Sequence, residues 1–502
     1  MIKLIYRIES DYMSKKRMLI VTSVTLSVVT ISLGIVKLYQ TYALSNYIGT
    51  VTDTGIDVYI NDDSYASIPA NGSSNVYYML TNTNPGTVKY GVAYQTTSGV
   101  TVKVYDTSED PATGTIEEND KKYIKLHLEN KNSTNKTIEL STVLGYENGG
   151  DLVVPSGVTL VTDTYTPPPT AAEYITKLYT TASKTTVTNN SITYNTAPSV
   201  SLMNDRLGGT TTDLDGGNIR YYGASPNNYI YFNCSDYSNQ TSSTCETWRI
   251  IGVFDGKLKL IRGSQIGKYS WDNKNTSTGA EDNYGKNDWT TARLMKLLNP
   301  RDYYKVDSND NNLGQSLYYN SASGKCYSGQ NNATVDCDFT STGIKNDTTR
   351  NMIAETTWNI GGWSNSSVYP NQIYEYERGT TVYTGRPTTW MGKIALAYPS
   401  DYGYAVDLNK CKYYRVDEYK DTACVSNNWM KTILGVSSNG WLLSTHSGGS
   451  YDVSFVHLNG SVSNFYLGAQ LVYEVAPVLY LSSKLGIESG DGSSSNPYKL
   501  SI

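Results

Sequence analysis

Apolar residues recur at every second position in short runs between residues 46 and 162: Ile56, Val58, Ile60; Val88, Tyr90, Val92, Tyr94; Val100, Val102, Val104; Ile124, Leu126, Leu128; and Ile138, Leu140. A period of two sends alternate side chains to opposite faces, so each run predicts a half-buried strand. Turn signals such as Asn84-Pro85-Gly86 and Asn148-Gly149 separate or bound the runs. About seven such strands in a segment of this length predict an all-β sandwich of immunoglobulin-like architecture. Residues 46–162 contain no cysteine and no tryptophan, so the expectation rests on architecture alone, and the plain role of the module is a spacer.

The pattern changes at Thr166-Pro167-Pro168-Pro169-Thr170, where three prolines stiffen the chain into an extended linker. Within the linker region 163–200, Ile175 and Leu178 share one helical face, which predicts a short helix over 171–181 that docks on the next domain. Residues 201–502 mix periods. Trp248 to Arg262 predicts a hairpin turning at Asp255-Gly256, while 288–298 and 347–358 predict capped helices, with a further turn or two of helix over 427–434. Residues 441–483 predict a hairpin with a type I′ turn at Asn459-Gly460, followed by a strand from Val475 to Leu481 that is buried on both faces. The result is an α+β domain with long Gly- and Asn-rich loops.

At the other end, residues 18–36 carry no charge and are long enough to cross a bilayer as a helix, and Lys3, Arg7, Lys15, Lys16 and Arg17 precede them. The expectation is a cytoplasmic tail over 1–17, a transmembrane signal anchor over 18–39, and the remainder outside a cell membrane. A cleaved signal peptide is the rival; its apolar region would be shorter and would end at a small-residue site that this chain matches poorly.

Composition narrows the class. The net charge of -5 excludes a broad basic face for nucleic acid, and 45 Tyr against 5 Phe favour strands and hydrogen-bonding surfaces. All eight Trp and all six Cys lie beyond residue 200. The cysteines form three close pairs, Cys234 and Cys245, Cys326 and Cys337, and Cys411 and Cys424. Of the roughly 15 connectivities that six cysteines allow, nearest-neighbour pairing would clip three local loops in an exported domain. Free buried thiols are the alternative; zinc is disfavoured because there is no Cys-x-x-Cys and no histidine near any pair.

Several motifs in this half carry a resemblance. They are Trp248-Arg249-Ile250-Ile251-Gly252, Arg386 to Trp390, Gly392-Lys393-Ile394, Tyr398 to Ala405, Trp441-Leu442-Leu443, Pro477 to Leu481 and the tail from Gly490 to Tyr498. Across about residues 205–502 the chain resembles bacterial cell-surface domains related to the C-type-lectin-like fold in its formylglycine-generating-enzyme variety. The resemblance implies an extracellular display head whose loops form the contact surface, an adhesin-like role. Related domains carry an arginine before the proline of the last strand, and here that residue is Ala476. The reactive cysteine pair of the formylglycine enzymes has no matching motif, and in place of a calcium-lectin loop the chain has Tyr369-Pro370-Asn371. No catalytic, cofactor or metal residue therefore carries over.

Several clusters carry candidate chemistry. His446 near Ser444, Ser447 and Asp452 invites a nucleophile–base–carboxylate arrangement, but without a nucleophile elbow a solvated loop histidine is the expectation. Glu375 and Glu377 with Asp401 would be the carboxylates of a glycan hydrolase, although Arg378 beside Glu377 suggests an ion pair. Residues 307–312 place oxygen ligands at alternate positions, but Tyr318 stands where a calcium loop of the EF-hand type needs Glu. A binding face for a glycan or surface-protein ligand is expected from Trp363, Tyr374, Tyr376, Arg378, Arg386, Trp390 and Tyr404, since aromatics with arginine suit such contacts. About two-thirds of the tryptophans should nonetheless be core. An extracellular enzyme, either a glycan hydrolase or an oxidase of the formylglycine type, and a purely structural surface protein are the alternatives.

Overall fold

The computed structural model describes residues 46–51, 56–60, 65–82, 86–146, 152–189, 192–206, 217–273, 284–304, 314–328, 334–364, 367–412, 415–464 and 468–501. The expected anchor over 18–39, the 307–312 loop and the turn signals at 84–85 and 148–149 lie outside the described residues. Among the described residues no helix is long and apolar enough to cross a membrane. The chain divides into two units, one ending at Pro168 and one beginning at Pro169.

The first unit is a pair of sheets. One runs, edge to edge, Thr164–Tyr165, Val100–Tyr105, Lys121–Asn130, Gly72–Asn82, Asn46–Val51 and Ile56–Ile60. The other runs Val158–Leu160, Val88–Gln95, Lys136–Tyr146 and Tyr65–Ile68, with Thr113–Ile116 also on Val88–Gln95. Side chains from both, among them Tyr78, Ile124 and Leu126 from the first and Tyr90, Val92 and Ile138 from the second, form one buried cluster, which makes the unit a β-sandwich. The alternating strands expected from the sequence are all present. Gly72–Asn82 joins them, burying Val76, Tyr78 and Leu80.

The second unit is built on a sheet whose order is Thr185–Asn189, Ile192–Ala197, Leu202–Asn204, Ile219–Tyr221, Glu246–Phe254, Lys257–Arg262, Val478–Tyr480 and Ile394–Ala395. Every pairing in it is antiparallel. Its first two strands and helix α1 (Ala171–Thr181) come from the segment expected as linker. They belong to this unit because Ala171, Ala172, Ile175 and Tyr179 are buried and Val187 and Tyr194 join the core. A capping box starts α1: Thr170 Oγ1 accepts from Glu173 N, and Glu173 accepts from Thr170 N.

The hairpin Glu246–Phe254/Lys257–Arg262 turns where the sequence requires it, with Asp255 at φ 47 and Gly256 at φ 70, both left-handed as in a type I′ turn. The remaining helices are short: α2 (Arg293–Leu298), α3 (Asp347–Met352), α4 (Pro370–Glu377), α5 (Pro399–Tyr404) and α6 (Thr422–Val425). Two are shorter than expected. Asp288 bonds the backbone and hydroxyl of Thr290, which holds a turn in place of a first helical turn, and Thr356–Asn359 pairs as a strand with Thr389–Gly392.

The stretch 441–483 contributes to two sheets. Gly440–Thr445, Val453–Val456 and Val462–Ser463 lie in a smaller one, and Val478–Tyr480 lies in the main one. The turn at Asn459-Gly460 is not type I′: Gly460 alone is left-handed, at φ 95, while the Asn459 side chain caps Ser461. Three disulfides, Cys234–Cys245, Cys326–Cys337 and Cys411–Cys424, join nearest neighbours, and no cysteine is free.

Candidate functional site

Four residues stand side by side across four strands of the main sheet. Arg220 faces Gly252, Gly252 faces Lys259, and Lys259 faces Tyr480. Two cations thus flank a residue without a side chain. The glycine is required by the backbone, since a Cβ there would lie 2.1 Å from the carbonyl oxygen of Ile219. Arg220 and Lys259 are both fully buried. In an interior so dry each needs a carboxylate.

Asp401 serves both. Arg220 Nη1 donates to its Oδ1 at 2.9 Å, and Lys259 Nζ donates to its Oδ2. Asp205 takes the Nε of Arg220. Asp401 sits in the first turn of α5, where its Oδ2 also accepts the backbone N–H of Tyr398 at 3.0 Å. Pro399 opens that helix, and its missing N–H is no loss there. Aromatic rings enclose the rest: Lys259 Nζ lies 4.2 Å from the ring centre of Tyr398, 5.1 Å from Phe254, 5.5 Å from Tyr480 and 5.7 Å from Trp358. Burial depresses the Lys259 ammonium to about 8 although Asp401 opposes the shift. Burial pushes the Asp401 carboxyl up, but Lys259 and Arg220 outweigh it and hold it below the ordinary range.

A second ion pair lies beside the first. Glu377, at the end of α4, is fully buried, and Ser400 N donates to its Oε1 at 2.9 Å while the Ser400 hydroxyl donates to Oε2. Arg378 Nη1 approaches Oε2 at 3.2 Å. Burial raises the Glu377 carboxyl to about 7 despite Arg378 and Ser400. Across both clusters three acids, Asp205, Asp401 and Glu377, match three bases, Arg220, Lys259 and Arg378.

Above these pairs opens a small cleft of about 50 Å³. Its walls are mostly polar and include Asn218, Lys257, Thr356, Asn359, Tyr374 and Arg378. The guanidinium of Arg378 stacks 3.5 Å from the centre of the Tyr374 ring, and Asn218 Nδ2 holds the Tyr374 hydroxyl at 2.8 Å. Arg378 is a quarter exposed, so the cleft offers a cation and an aromatic edge to solvent on a rigid floor. Among the described residues no cluster of His, Cys, Asp and Glu could hold a metal ion.

Neither families nor neighbours are found. No family model, no curated protein and no solved structure matches the chain.

Of the residues expected at a binding face, Tyr374 and Arg378 come together in this cleft. Tyr376 is exposed on the same helix, and Arg386 is half-buried, bonded to Asn287 Oδ1 at 3.0 Å and to the Ser450 carbonyl at 3.0 Å. Trp363, Trp390 and Tyr404 are core residues, as are all eight tryptophans, so these three do not reach a common surface with the others. Tyr404 stacks instead on the buried Arg220, at 4.8 Å.

The carboxylate trio separates too: Glu375 is exposed, whereas Glu377 and Asp401 are buried and bonded as described. His446 is not solvated but buried. Its Nδ1 accepts the N–H of Gly448 at 3.1 Å, and its backbone N–H donates to the Asp452 carbonyl. The residues that sequence reasoning missed are Arg220, Lys259 and Asp205. Their signal was a charge inside an apolar strand, as in Ile219-Arg220-Tyr221 and Leu258-Lys259-Leu260.

Proposed function

We propose that the chain is an exported surface-display protein, held at a cell membrane by residues 18–39. In this reading an immunoglobulin-like stalk precedes a C-type-lectin-like head that binds a glycan or protein ligand without catalysis. The cleft carries the binding part: a stacked Tyr374–Arg378 pair and several amide and hydroxyl groups are presented over a floor braced by two ion-pair clusters. Rigid aromatic and arginine side chains give contact at little entropic cost. Glu377 and Asp401, buried beneath the cleft, are already engaged by Ser400, Arg378, Arg220 and Lys259, which leaves Asp255 as the carboxylate on its wall and supports binding over hydrolysis by a carboxylate pair. Three disulfides and the charge-free stretch after Arg17 support export and anchoring.

The test is binding of the full-length chain to a glycan array and to a panel of surface proteins. Arg378→Ala and Tyr374→Ala are each expected to weaken a bound ligand at least about tenfold, roughly 1.4 kcal/mol, with Tyr376→Ala near neutral. Absence of any ligand, or one held equally well by Arg378→Ala, overturns the binding reading. Anchoring is checked separately: after alkaline carbonate washing the chain should remain with the membrane fraction.

A further inference from the structure

We propose that Lys259 and Asp401 condense spontaneously into an intramolecular amide that ties the strand Lys257–Arg262 to helix α5. The two side chains are in direct contact through Nζ and Oδ2, both residues are fully buried, and they lie 142 residues apart in the chain. Four aromatic rings around Nζ exclude the water that would otherwise solvate an ammonium and hydrolyse an amide.

The step needs no other reactant. The resting pair is ionic, and one proton passes along the existing hydrogen bond from the Lys259 ammonium to Oδ2, giving a neutral amine and a neutral acid. Burial eases that transfer by depressing the ammonium, while the hold of Arg220 on the carboxylate works against it, so the neutral pair is a minor species from which the attack proceeds. The freed nitrogen lone pair then attacks the Asp401 carbonyl carbon, and a C–N bond forms. Negative charge develops on Oδ1, where Arg220 Nη1 already donates at 2.9 Å, as an oxyanion donor must. The bond from the carbon to Oδ2 breaks, and Oδ2 departs as water with the transferred proton and a second one from the nitrogen. Reactive atoms held at contact distance gain the advantage of an intramolecular reaction over one between free molecules.

Charge balance favours the product as well. Condensation removes one cation and one anion together, so Arg220 keeps Asp205 and Arg378 keeps Glu377. An ion pair in so dry a site stabilises a fold weakly, and a neutral amide in its place carries no desolvation penalty of that size.

Peptide mapping by mass spectrometry on the reduced, purified full-length chain decides the matter. The expected result is a branched peptide joining the segments around Lys259 and Asp401, lighter than their sum by one water molecule. In Lys259→Arg, which keeps the charge but lacks the amine, the two segments should appear separately at their full masses. Recovery of two linear peptides from the unaltered chain overturns the proposal, and so does loss of water that persists in Lys259→Arg.

Discussion

Arg220 is the residue on which the buried charges of the head balance, since it answers both Asp205 and Asp401 and is itself wholly enclosed. Replacing it with methionine keeps the bulk but leaves Asp205 without its cation and Asp401 short of one. Such a change is expected to destabilise the head by about 3–5 kcal/mol, read from the midpoint of chemical denaturation. Glu377 makes the opposite kind of statement. Its carboxyl titrates near 7 in the folded head, above its ordinary 4.5, so between those values the folded state binds more protons than the unfolded one. The stabilisation this gives is complete below about pH 4.5 and is lost as pH rises through about 7, by at most about 3 kcal/mol. Glu377→Gln should flatten that part of the stability profile relative to the unaltered chain; an unchanged slope would place the titration elsewhere. The ion pair of Glu377 with Arg378 was legible in the sequence, but the burial of Glu377 and the partners of Arg220 were not. Lys257 and Lys259 alternate with Leu258 and Leu260, as on a strand with one wet face, and Asp401 of α5 with the rings of Tyr398, Phe254, Tyr480 and Trp358 enclose Lys259 there as a core residue.

At the scale of elements, legibility followed how local the cause is. The turn at Asp255-Gly256 and the start of α1 at Thr170 are written in two to four consecutive residues, and both stand where expected. The lengths of α2 and α3 are not, because a side-chain turn at Asp288 and a distant pairing of Thr356–Asn359 with Thr389–Gly392 decide them. Gly252 shows a local residue with a non-local reason. Its pairing with the neighbouring strand sets the Ile219 carbonyl where a Cβ would stand, and Gly252→Val is expected to cost about 3 kcal/mol or more, seen as lost soluble yield or a lowered denaturation midpoint. The aromatic motifs fared in the same way. Trp363 and Trp390 look like contact residues in sequence but fill the core, while Tyr374 lines the cleft, held there by Asn218 and stacked against Arg378.

For the whole molecule, the division at Pro168 and Pro169 separates two independent hydrophobic cores. Two separate cores predict two unfolding transitions by calorimetry, with the one from the larger unit preserved when residues 169–502 are produced alone. A single transition that moves with mutations in either unit would show that they melt together. The period-two runs made the first unit readable because each strand buries one face against a single partner sheet. In the second, charges from strands and helices far apart in sequence meet at one point, and no window of sequence contains them. The way this unit begins and ends has a practical consequence. Thr170 pairs with Gly486, Ala171 bonds the Leu485 carbonyl, and Gly486 also faces Ser501, so the start and finish of the head share one spot on its surface. A body closed on itself in this way can be lifted out and grafted into a loop of an unrelated scaffold, or cut and rejoined in a new order, with no long connection to span.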